Sequence, residues 1–291
     1  MFELMDEDKE ARNGRLRTAH GIVVTPAFMP VATKGSVKTL SSGELEEIGV
    51  DALICNAFLL YLRPGAEVVA DAGGLHRFMD WDGTIFTDSG GFQMLRGDFL
   101  VGSGKRGIRF RSPFDNSKHI FTPEKCMGVQ KLLGSDIAMV LDDIPPYGSD
   151  EKRMAESVVR TIDWARRCKE AHSNDSQLLF AIVQGGVHHR LREECATELV
   201  EIGFDGYGLG GLSIGESLEE MLMAIERSSL PADKVRYLMG VGSPVEMLEA
   251  IERGVDLFDS AFPTRNARHN TVYAWEGKYD LSRAKYAKDF G

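Results

Sequence analysis

Short apolar runs recur along the chain, and amphipathic stretches separate most of them. Val24–Val31, Ala52–Asn56, Thr84–Asp88, Asp136–Asp142, Leu178–Gln184, Gly206–Leu212, Val235–Val241 and Asp256–Asp259 read as eight strands. Helical patterns follow most of them: Ser42–Ile48, a helix opened by Pro64, a Thr122-capped helix ending near Gly134, Asp150–His172, His188–Ile202, Glu216–Arg227 and Pro244–Arg253. Parallel strands need a crossover, and a helix supplies it, so this alternation predicts an α/β fold with parallel pairing. A doubly wound sheet is the competitor, but its Gly-x-Gly-x-x-Gly turn is missing near the N-terminus, and Gly208-x-Gly210-Gly211 comes too late. We therefore expect a (β/α)8 TIM barrel, with residues 1–291 forming one domain. The alternation over Gly107–Phe121, around Phe114-Asp115-Asn116-Ser117, predicts a β-hairpin inserted after the third strand.

The ends of these runs carry the chemistry. Asn56, Asp88, Asp142, Gln184, Gly211, Met239 and Asp259 each close an apolar run, and three of them are aspartates. In a parallel barrel the strand ends converge on one face, where such residues build a single site.

Composition narrows the setting. No apolar run reaches the length of a membrane span. Met1–Arg17 is charged and has no apolar signal region, and the four cysteines Cys55, Cys126, Cys168 and Cys195 form no Cys-x-x-Cys. A reducing cytoplasm fits, and neither a metal nor a cofactor is expected. The net charge of −10 argues against a protein that coats nucleic acid non-specifically. Two basic stretches stand against it. Lys105, Arg106, Arg109, Arg111 and Lys118 face one acid over residues 104–119, and Arg265, Arg268, Lys278, Arg283, Lys285 and Lys288 face two acids over 264–288. They are either solvated surface or a face for a structured polyanion.

Each motif has a structural and a functional reading. Thr87-Asp88-Ser89-Gly90-Gly91-Phe92-Gln93 is a glycine turn with a capping aspartate, or a carboxylate and an aromatic face beside a flat ligand. Leu141-Asp142-Asp143 is turn chemistry, or a carboxylate that accepts two N–H bonds from a guanine edge. Gln184 is a satisfied core amide, or it reads a carbonyl and a ring N–H. Gly210-Gly211-Leu212 leaves bare backbone where a base can lie. Met239 is core, or one half of a sandwich with Phe92. Asp259 with Arg265 and Arg268 is an ion-pair cluster, or a carboxylate with phosphate-binding arginines beside it. The histidines, including His188 and His189, have no metal-ligand partners nearby in the sequence and read as surface or cap residues.

Together these segments resemble the tRNA-guanine transglycosylases, the base-exchange enzymes of queuosine biosynthesis. The likeness runs from about Gly14 to Gly291. It includes Phe28-Met29-Pro30-Val31, Tyr61-Leu62-Arg63-Pro64-Gly65, Thr87–Gln93, Val183–Gly186, Gly210–Glu216, Tyr237–Gly242 and Phe258–Arg265. The resemblance implies a TIM barrel that exchanges guanine at the wobble position (34) of tRNA for a 7-deazaguanine base. It implies Asp259 as nucleophile and Asp88 as general acid/base. Asp142, Gln184 and the backbone of Gly211 and Leu212 would read the base, Phe92 and Met239 would stack on it, and Asn56 would lie near it. Arg265 and Arg268 would hold phosphates of the tRNA. Ile214 and Ile144 would crowd the 7-substituent, ranking 7-aminomethyl-7-deazaguanine ahead of queuine and of the 7-cyano base.

In that family a Cys-x-Cys-x-x-Cys and a histidine bind structural zinc beyond the point where this sequence stops. The expectation is therefore no zinc in this chain, with a homodimer or a second subunit carrying the zinc segment as possible partners. The rivals are an archaeosine-type enzyme acting at position 15, a non-catalytic tRNA-binding subunit, and a hydrolase that releases the base to water.

Overall fold

The structure, a computed structural model, describes residues 1–91 and 99–288. Its centre is a parallel barrel with eight strands: Ala27–Pro30, Ala52–Asn56, Thr84–Asp88, Ile137–Met139, Leu178–Val183, Gly206–Leu209, Val235–Leu238 and Leu257–Ser260. Each strand pairs in parallel with the next in the chain, and the last returns to the first through Phe258↔Phe28. A parallel bridge between Val31 and Ile54 joins the first two and closes the ring. This is the TIM-barrel arrangement. Inside it Phe86, Phe180 and Tyr237, from the third, fifth and seventh strands, form an aromatic layer with centroids 5.8 and 5.9 Å apart. Side chains two residues apart share a face of a strand. Asp88 therefore shares the inward face with Phe86, Gln184 with Phe180, and Met239 with Tyr237.

Several boundaries differ from the sequence reading. Val24–Val31 is not one strand. Gly21–Thr25 pairs with Ala11–Thr18, which pairs with Phe2–Asp8, in a three-stranded antiparallel sheet. Pro26 has no N–H for a ladder, and the chain changes sheets there. This sheet covers the N-terminal mouth of the barrel. Leu16 and Val23 are buried beneath it, and Arg12 reaches Asp256 at the foot of the eighth strand at 3.1 and 2.7 Å. Pro64 does not open a helix. The helix Ala57–Leu62 starts at once after the second strand, because the Asn56 side chain accepts the Leu59 N–H at 2.7 Å. Pro64 restricts Arg63 to extended backbone and ends it, and the next helix is Ala66–Asp71.

Between the third strand and the helix Pro123–Leu133 lie three antiparallel strands, Leu100–Gly104, Gly107–Arg111 and Lys118–Phe121. The second and third match the predicted hairpin, and its turn is held where Asp115 accepts from Ser117. Phe110 and Phe121 anchor the insertion against Phe58. After the eighth strand, the helix Phe262–Arg268 and a hairpin of Thr271–Ala274 and Gly277–Asp280 complete the described chain apart from one short turn at Ala284–Tyr286. No helix among the described residues is long and apolar enough to cross a membrane.

Candidate active site

At the C-terminal ends of the strands a cavity of about 360 Å³ opens. Asn56, Asp88, Asp142, Gly211, Leu212, Met239, Asp259 and Arg265 all line it. Residues from six different strand ends and the loops after them thus meet in one space, although more than two hundred positions separate Asn56 from Arg265.

Asp88 and Asn56 face each other in register on neighbouring strands, and the Asn56 amide donates to Asp88 Oδ2 at 3.1 Å. Oδ1 of Asp88 is buried and has no partner among the described residues. Burial raises its carboxyl to about 8, and the negative charge of Asp259 adds to the rise. Asp259 is held differently. The Tyr237 hydroxyl and the Gly240 N–H, the latter at 2.8 Å, both donate to Oδ1. Burial raises this carboxyl too, and these two donors oppose the rise. Oδ2 receives no donor from the described residues.

Asp142 takes the Ser89 hydroxyl at 3.3 Å on Oδ1 and the Gln184 amide at 2.7 Å on Oδ2. Its carboxyl is pushed to about 7, chiefly by burial, with the Gln184 hydrogen bond pulling the other way. The neighbouring Asp143 is spoken for. Arg153 grips it with two bonds at 2.8 and 2.9 Å, and Arg160 adds a third contact. Of the two adjacent acids, only Asp142 faces the cavity.

The wall opposite is backbone. Gly211 has φ +66, and a Cβ there would meet Gln184 Oε1 at 2.3 Å, so glycine is required for the main chain to pass this close. The following loop is fixed by Glu216, whose carboxylate accepts the N–H groups of Ser213 and Ile214.

The proposed site residues thus divide. Gln184 does not line the cavity; it is fully buried behind Asp142, to whose Oδ2 its amide donates at 2.7 Å. Arg268 sits one turn beyond Arg265 on an exposed helix and also lies outside the cavity lining. Phe92, the expected stacking partner of Met239, lies outside the described residues. Sequence reasoning missed Tyr237, Gly240, Ser89 and Glu216. Of these, Tyr237 had a signal, since it precedes Met239 by two residues and must share its inward face.

The comparisons with known proteins give this geometry a family. A family profile described as Queuine tRNA-ribosyltransferase matches residues 6–291. The chain belongs to this family. A Queuine tRNA-ribosyltransferase of Solidesulfovibrio magneticus is 49% identical over 99% of this chain and 78% of its own length. Its counterpart in Desulforamulus reducens is 48% identical over 99% and 79%, and that in Halothermothrix orenii is 47% identical over 96% and 76%. The protein is accordingly a pentosyltransferase.

Two points concern metal. The four cysteines are buried, and none belongs to a metal-ligating group among the described residues. They take separate partners, Met79 for Cys55, Gln130 for Cys126, Leu141 for Cys168 and Gln184 for Cys195. The expectation that the histidines lack ligand-type partners fails for His20 and His76. With Asp136 they form a group whose ligand atoms lie within 4.8 Å of one another, at the N-terminal end of the barrel. The sequence hid this because Asp136 is 116 residues from His20. The two rings are stacked 3.5 Å apart at 19°. Nearly parallel rings cannot both aim in-plane lone pairs at one ion, so the group acts as a hydrogen-bonded staple on the Asp136 carboxylate, at 2.8 and 3.1 Å.

Proposed function

We propose that this chain exchanges guanine at the wobble position of a tRNA for a 7-deazaguanine base, through a ribosyl ester on Asp259. The observation that carries the reading is that Asp88 and Asp259 line one cavity and are held by different donors within it. Among the described residues Asp259 is held by two donors and Asp88 by one, so in this reading Asp259 carries the charge and Asp88 the proton.

The proposed reaction needs no external energy. Oδ2 of ionised Asp259 attacks C1′ of the ribose as the bond to guanine N9 breaks, and protonated Asp88 supplies the proton that the departing base requires. In the return step Asp88 takes the N–H proton of the incoming base, whose nitrogen attacks C1′ and releases the Asp259 carboxylate. The target nucleotide must leave its stack to reach the cavity. Asp142 accepts the amino and ring N–H donors of the base, and the bare backbone at Gly211 and Leu212 lets the base lie flat. Ile144 and Ile214 both line the cavity and favour a small 7-substituent such as aminomethyl over a cyclopentenediol. The cavity volume lies near the small end of the roughly 300–1,000 Å³ typical of ligand sites.

Incubation with tRNA and labelled guanine tests the reading. Label should enter tRNA with the unaltered chain and not with Asp259→Asn, which should keep most of its tRNA binding. Equal turnover by Asp259→Asn would remove the nucleophile, and loss of base without replacement would make the protein a hydrolase.

A further inference from the structure

Of the three tryptophans, Trp81 and Trp164 are buried at 1% and 0% exposure, whereas Trp275 is 100% exposed. It sits at the apex of the hairpin, where Ala274 pairs with Gly277 and leaves a two-residue turn. The largest apolar side chain in the chemical alphabet is here held out on a short, regular support and packs against none of the described residues.

Its position is tied to the cavity. Ser260, Ala261 and Arg265 line the rim. Phe262 follows directly, with its N–H on the Ser260 hydroxyl at 3.1 Å. The ring of Tyr273 packs on Phe262 at 5.3 Å. Trp275 lies two residues past Tyr273, about 7 Å further out at strand spacing. The helix and hairpin are net positive in an otherwise acidic chain, with Glu276 and Asp280 as their acids. Arg265, Arg268 and Lys278 lie on the same helix and hairpin, and Lys278 stands 5.8 Å over the Tyr273 ring. Exposed aromatic rings interleaved with cations are the arrangement that holds single-stranded nucleic acid, because every base has a face to stack and every nucleotide has a phosphate to neutralise.

We propose that Trp275, with Tyr273 beneath it, is a stacking platform for an unpaired base next to the nucleotide that enters the cavity, with Arg268 and Lys278 holding the intervening phosphates. The proposal rests on the reading that RNA is the substrate, and it adds a positioning residue to it: Trp275 touches a flanking base and never the reacting atoms.

Because Trp81 and Trp164 are buried, acrylamide quenching of intrinsic fluorescence reports on Trp275. An anticodon stem-loop RNA should quench this emission and shield it from acrylamide, whereas heparin, a polyanion without bases, should do neither. Trp275→Ala should raise KM for tRNA roughly tenfold, the scale of one lost base–aromatic stack. Its kcat at saturating tRNA should stay close to that of the unaltered chain, and Trp275→Phe should restore most of the KM. The proposal is overturned if the stem-loop binds and leaves Trp275 open to acrylamide, or if Trp275→Ala leaves KM unchanged. It is also overturned if Trp275 is already shielded in the free protein and is uncovered by dilution, since a second copy of the chain would then be its partner. If the stem-loop shields Trp275 but no labelled guanine enters tRNA, the platform stands and the base-exchange reading falls.

Discussion

Tyr237→Phe isolates the tuning of Asp259. Tyr237 is completely buried, and its ring belongs to the aromatic layer of the barrel, 5.9 Å from Phe86. Phenylalanine keeps that packing and removes only the hydroxyl, one of the two donors to Asp259 Oδ1. A hydrogen bond to a charged group contributes about 1.5–3 kcal/mol, and one pKa unit corresponds to about 1.4 kcal/mol, so the loss is worth roughly 1–2 units. The sign follows from the cause. The hydroxyl lowers the Asp259 carboxyl against the rise from burial, so its removal raises that carboxyl further. The proposed nucleophile must be ionised, and the acid limb of kcat/KM for guanine exchange should therefore move up by about 1–2 pH units. The basic limb, set by Asp88 at about 8, bounds the other side, so the window narrows and the maximum falls. The assay is labelled-guanine exchange measured across pH for both proteins, with thermal unfolding as the control for packing. An acid limb at its original pH, whether or not the maximum falls, would refute the tuning role.

Two other substitutions follow from the same geometry. Asp142→Asn should weaken binding of the base and flatten the pH dependence of stability. The folded carboxyl at about 7 lies above its unfolded value near 3.9, so the folded state of the unaltered chain binds more protons between these values and loses a few kcal/mol as pH rises through them. Urea unfolding at pH values near 5 and 8 reads this slope, and an equal slope in both proteins would count against it. Arg12→Ala leaves the fully buried Asp256 without its cation and should cost about 3–5 kcal/mol in urea unfolding, while the cavity at the opposite end stays unaltered; a loss under about 1 kcal/mol would show that the N-terminal sheet is not fastened there.

The barrel and most of its site were legible because a strand tip follows directly from a strand. An apolar run ending in Asn56, Asp88 or Asp259 places that residue on the C-terminal rim whatever surrounds it. Features set by distant partners were not legible. Asp142 and Asp143 are indistinguishable in sequence, and the arginines that take Asp143 lie ten and seventeen residues further on, along one face of the next helix. Gln184 ends an apolar run as the others do, yet its side chain is buried against Asp142 and lies outside the cavity lining. The N-terminal sheet was hidden because its outer face is charged and because Val24–Val31 reads as one apolar run until Pro26 is weighed as a missing donor. The helix at Ala57 was hidden because Asn56 is at once the last residue of a strand and the cap of a helix, and only its bond to Leu59 reveals the second role.

Three carboxylates in one small cavity cannot all carry full charge, and burial raises all three while different donors oppose it. Asp142 and Asp88 are biased toward the protonated form by burial, at about 7 and about 8. Burial raises Asp259 too, and the two donors on Oδ1 oppose that rise. The consequence for the proposed reaction is directional. While Asp259 is an anion, its charge holds a proton on Asp88, and Asp88 enters the first half-reaction as an acid. Once Asp259 is an ester that charge is gone and one cause of the raised Asp88 carboxyl goes with it. Asp88 then gives up its proton more readily at the stage when the first base has left and the second must be deprotonated. In the proposed mechanism the nucleophile thus biases the acid–base state of its partner in each half of the exchange, and no side chain has to move to change it.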